Sequence, residues 1–131
     1  MNYVIDNLAY FGVIKITVSG TINQDIRKEI ISKALSKLTT NGYHKLIMDL
    51  IDAKISEKYT SRTVNTFEMV ESIKKIETKN PLKIAVLSRD RKDDRNHFVK
   101  LAQLIGNLNT KHFSNYDEAI TWLLDGKDIF D

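Results

Sequence analysis

Polar and apolar positions along this chain change period several times, and each change marks an element. From Phe11 to Ser19 the β-branched residues Val13, Ile14, Ile16 and Val18 are interleaved with Lys15 and Thr17, and Gly20 closes the run. That is the pattern of a half-buried strand. An earlier strand, Tyr3 to Leu8, is close enough to pair with it through a hairpin over Asn7 to Gly12, which makes the opening pair antiparallel. From Asn23 the period becomes helical: Ile26, Ile30, Ala34 and Leu38 recur every four residues, with Ile31 and Leu35 beside them. Thr21 with Gln24, or Asn23, offers the N-terminal cap, and Gly42 stands where a left-handed C-terminal residue is used.

Leu46, Ile47, Met48 and Leu50 form an almost continuous apolar run, as does Leu82 to Ser88, and such runs suit strands covered on both faces. Between them the spacing of Val64, Phe67, Val70 and Ile73 predicts a second helix over Thr60 to Ile76, stopped by Asn80 and Pro81. A third helix is expected from about Asp93, with Phe98, Leu101, Ala102 and Ile105 inward. Lys111 to Ser114 reads as a short last strand. Ser114 with Asp117, or Asn115 with Glu118, can then cap a final helix bearing Ala119, Ile120, Leu123 and Leu124. The order ββαβαβαβα predicts a single α/β domain: a mixed, mostly parallel five-stranded sheet with an antiparallel opening hairpin and four helices.

Three segments carry a resemblance. They are Val18-Ser19-Gly20-Thr21-Ile22 before the first helix, the strand Leu46-Ile47-Met48-Asp49-Leu50, and the closing pattern that joins Lys83-Ile84-Ala85-Val86-Leu87 to His112-Phe113-Ser114-Asn115-Tyr116-Asp117-Glu118-Ala119-Ile120-Thr121-Trp122-Leu123. In these the chain resembles the SpoIIAA-like family, related to STAS and Sec14-type domains, over nearly its whole length. The resemblance implies a noncatalytic regulatory or protein-interaction module of STAS type. In the anti-sigma factor antagonists of that group a Ser or Thr in an Asp-Ser-Ser-Gly-like turn is phosphorylated. The matching stretch here, Asp52-Ala53-Lys54-Ile55-Ser56-Glu57-Lys58-Tyr59-Thr60-Ser61-Arg62, has neither that turn nor its glycine.

Composition narrows the chemistry. The 131 residues include no cysteine, which removes disulfides, thiolate metal sites and thiol nucleophiles and fits a reducing cytoplasm. No apolar run approaches the roughly 20 residues that span a bilayer, and the first residues lack a signal-peptide pattern, so a cytoplasmic protein without a membrane span is expected. The net charge of +3 is dispersed: five bases and three acids precede Asn41, seven and six follow to Asn80, and eight and eight complete the chain. Phosphate-backbone binding rewards clustered bases, so no nucleic-acid partner is expected.

Few residues point to a site. Asp49 and Asp52 are expected at the carboxyl end of a parallel strand, where open α/β sheets bind ligands, although strand ends also use aspartates to accept local backbone hydrogen bonds. Arg89 and Arg91 follow the next strand, and Arg62 opens the second helix, so the three approach the same edge. Arginines there suit a carboxylate or phosphate, whereas the interleaved Asp90, Asp93 and Asp94 also suit a solvated loop of ion pairs. His44, His97 and His112 are far apart, and no Gly-x-Ser-x-Gly turn is present, so no metal, cofactor or hydrolytic centre is expected. Trp122 reads as core on a short helix, with partner anchoring as the alternative. The expected partner is a protein, with self-association left open. The other reading is a small ligand, apolar as the Sec14 relation implies or anionic to suit the arginines.

Overall fold

A computed structural model describes residues 3–22, 24–55, 82–88 and 109–125. Its elements are β1 (Tyr3–Leu8), β2 (Val13–Ile22), α1 (Gln24–Asn41), β3 (Lys45–Ile55), β4 (Lys83–Leu87), β5 (Asn109–Phe113) and α2 (Tyr116–Asp125). The strands form one five-stranded sheet in the order β1-β2-β3-β4-β5. β1 is antiparallel to β2, and the other neighbours are parallel. This is the mixed sheet that the opening hairpin and the later crossovers imply. Two of the four expected helices are described; those over Thr60 to Ile76 and from Asp93 lie outside the described residues.

Alternation along each strand sorts the core into two layers. Ile14, Ile16 and Val18 on β2, Leu46, Met48 and Leu50 on β3, and Ile84 and Val86 on β4 pack beneath Ile30, Ile31, Ala34, Leu35 and Leu38 of α1. Val13, Ile47, Ala85, Leu87 and Phe113 point the other way, against Ala119, Trp122 and Leu123 of α2. The continuous apolar runs of β3 and β4 are thus explained by burial on both faces. Trp122 is core, tilted against Phe113 with ring centroids 5.5 Å apart.

Both helix ends use local chemistry readable from the residues. Gly42 adopts a φ of 69°, its amide donates to Thr39 O at 3.2 Å, and Tyr43 N donates to Leu38 O at 3.0 Å. This paired arrangement satisfies two carbonyls at the end of α1 and needs a left-handed residue that glycine supplies without strain. Asn115 caps α2 by accepting the Glu118 amide on Oδ1 at 2.9 Å. At the other end of α2, the buried Lys83 ammonium donates to Trp122 O at 2.8 Å and lies 4.5 Å from the centroid of that indole. A lysine on a sheet strand therefore closes a helix end that has no basic residue of its own.

Two strands run further than expected. β2 does not stop at Gly20: with φ at 75° that glycine lets the chain continue, and Gly20, Thr21 and Ile22 stay paired with Ala53, Lys54 and Ile55. β3 likewise continues past Leu50 to Ile55, so Asp49 and Asp52 lie within the strand and not at its carboxyl end. Leu82 and Asn109 move the remaining boundaries slightly, β4 starting at Lys83 and β5 ending at Phe113.

Candidate functional site

The extension of β3 creates the most distinctive surface among the described residues. Thr17 pairs with Asp49, but Ser19 pairs with Asp52, so two steps on β2 are matched by three on β3. One extra residue on β3 makes a β-bulge. In a regular strand, residues three apart face opposite sides. The bulge cancels that inversion: Asp49 and Asp52 both stand on the α2 side, in line with Thr17 and Ser19, while Leu50 and Ala53 both enter the α1 core. Asp49 holds the bulge locally, its Oδ1 accepting the Ile51 amide at 3.2 Å.

Beyond the bulge the same side carries Thr21 paired with Lys54. Ser19, Thr21, Asp52 and Lys54 are exposed, and Thr17 and Asp49 are half-buried. From Thr17 and Asp49 onward, β2 and β3 are therefore apolar on one side and open on the other, where a row of hydroxyls lies beside a row of charges. Two carboxylates, an ammonium and three hydroxyls can exchange hydrogen bonds with a facing surface.

A hydroxyl placed against an imidazole lies two strands away. Ser88, just past β4, shares a hydrogen bond between its Oγ and Nε2 of His112 on β5, and its amide donates to Phe113 O at 3.2 Å. Sequence spacing gave no sign of this pairing, because 24 residues separate the two; only the parallel β4–β5 register, Val86 with His112 and Leu87 with Phe113, brings them together. A hydroxyl on an imidazole is the geometry of an activated nucleophile. Ser88, however, is 0% exposed. No substrate reaches its oxygen in this state, so the bond ties two strand ends together.

Of the residues expected at a site, Asp49 and Asp52 are brought to one side by the bulge, a feature that spacing alone could not reveal. Arg62, Arg89 and Arg91 lie outside the described residues, as does His97. His44 precedes β3, and its carbonyl accepts the Lys83 amide at 2.8 Å. Among the described residues no three His, Asp or Glu side chains gather as metal ligands, and no helix is long and apolar enough to cross a membrane.

The crystal structure of an anti-sigma factor antagonist from Mycobacterium paratuberculosis superimposes on this chain with a TM-score of 0.61, covering 94% of this chain and 93% of that one at 17% identity. The chain has the SpoIIAA-like fold. No family model and no curated protein matches the sequence. At this identity the shared property is architecture: the three segments that carried the resemblance are mostly core and capping positions in this chain, such as Ile47, Ile84 and Asn115.

Proposed function

We propose that this chain is a noncatalytic regulatory module that binds a protein partner through the open side of the β2–β3 pair around the bulge. The observation that carries the reading is the bulge that collects Asp49 and Asp52 beside Thr17 and Ser19. Rigid strands hold this polar surface in a fixed pattern, which suits recognition of a complementary surface by charge and hydrogen bonding. Support for a regulatory role comes from the SpoIIAA-like fold shared with an anti-sigma factor antagonist. The burial of Ser88, whose hydroxyl meets the His112 imidazole, favours a binding module over a hydrolase. Arg62, Arg89 and Arg91 belong to this proposal as further recognition residues.

Copurification from the native cells at moderate salt supplies the partner, and Asp52→Lys supplies the test. The exposed charge reversal should weaken binding by about tenfold or more and leave stability nearly unchanged. Unchanged affinity would show that the β2–β3 ends are not the recognition surface.

A further inference from the structure

Among the described strands the first is an edge that carries few of the usual protective features. Among the described strands β1 pairs with β2 alone, and its outer backbone groups form a row that another strand can pair with. Edge strands commonly block such pairing with lysine, proline or a bulge. β1 has none of these: its sequence YVIDNL carries a single charge, at Asp6, and its register with β2 is unbroken. Val4, at 57% exposure, is a large apolar side chain left open on this edge.

We infer that β1 pairs with β1 of a second copy of this chain, antiparallel about a two-fold axis at Val4, so that two sheets become one of ten strands. The axis follows from the side chains. Residues paired across such an axis share a sheet face, so it must pass through a residue and not between two. Centred on Val4, the pairing sets Val4 against its symmetry mate on the α2 side and Tyr3 against Ile5 on the α1 side, an aromatic against a β-branched residue. Centred on Ile5 it opposes Val4 to Asp6, and Tyr3 to an Asn7 already engaged with Asn41. Centred on Asp6 it opposes two carboxylates. The Val4 axis instead leaves the two Asp6 residues four positions apart, roughly 13 Å, beyond the usual screening length.

The seam is short. Pairing over so few residues buries less than the roughly 1,000 Å² of a stable interface, so the association expected is a weak, concentration-dependent one. This inference rests on the edge of β1 and is independent of the partner surface on β2 and β3.

Sedimentation velocity of the full chain from 10 µM to 2 mM, at low salt and in 0.5 M NaCl, tests it together with amide exchange. The expected result is a monomer–dimer equilibrium that survives the salt, with β1 amides gaining protection as concentration rises. Val4→Lys places two ammonium groups at the axis and should weaken association at least tenfold; Val4→Thr, milder for folding, should weaken it less. A chain that stays monomeric to 2 mM, a dimer indifferent to both substitutions, or a dimer dissolved by salt would each overturn the inference. The last outcome would point to charged surfaces in place of a strand seam.

Discussion

The Ser88 hydroxyl and His112 Nε2 share a hydrogen bond across the carboxyl ends of β4 and β5. Ser88 is fully enclosed and His112 half-buried. A buried polar group that loses its partner pays its desolvation without return. Ser88→Ala should therefore cost about 1–3 kcal/mol of unfolding free energy, read from urea denaturation, because the imidazole keeps its burial and loses a partner. Removing both groups in Ser88→Ala/His112→Phe should cost less than the sum of the single changes. Strict additivity would mean that the two side chains do not stabilise the fold through each other.

That bond also marks where the sequence stops being informative. The strands, α1 and α2 were legible because their signals are local: β-branched alternation in β2, the four-residue spacing of Ile26, Ile30, Ala34 and Leu38, the Asn115 cap, the Gly42 terminator. Strand ends were less so. A glycine at position 20 usually ends a strand, and here its left-handed backbone keeps β2 paired. The common side of Asp49 and Asp52 depends on a register shift, and the meeting of Ser88 with His112 depends on which strands are neighbours. Neither is a property of a short stretch of residues.

Lys33 gives the fold a dependence on alkaline pH. Its ammonium lies 5.5 Å from the centroid of the Tyr3 ring and 3.4 Å from Glu29 Oε1 one turn earlier on α1. The Tyr3 hydroxyl as acceptor, and then the Glu29 carboxylate, raise its pKa above the ordinary 10.5. The hydroxyl makes no hydrogen bond of ordinary length, so its hold on Lys33 is exerted at longer range. With the folded pKa above the unfolded one, the folded chain holds this proton more tightly. The contribution is complete below about pH 10.5 and is lost as pH rises through the higher folded value. The melting temperature of Lys33→Met should thus fall slightly below that of the parent from pH 7 to 10, and the two curves should converge above that range. A gap that widens with alkalinity would contradict the assignment. Because the pair is exposed, added salt should narrow the gap at neutral pH.

The bulge in β3 depends on Asp49 as an acceptor more than as a charge. Its Oδ1 takes the Ile51 amide, a group that a regular ladder would have paired with a neighbouring strand. Asp49→Asn keeps an oxygen in the same place, so the bulge and the position of Asp52 beside Ser19 should persist, with stability within about 0.5 kcal/mol of the parent. Asp49→Ala removes the acceptor and should cost about 1 kcal/mol or more. The difference between the two variants is the test, because both remove the charge and only one removes the hydrogen bond. Exchange of the Ile51 amide should accelerate in Asp49→Ala and stay near the parent rate in Asp49→Asn. Equal acceleration in both would mean that carboxylate charge holds the bulge. If Asp49→Ala also weakens partner binding while Asp49→Asn does not, what the partner reads at this position is the bulged geometry that Asp49 maintains.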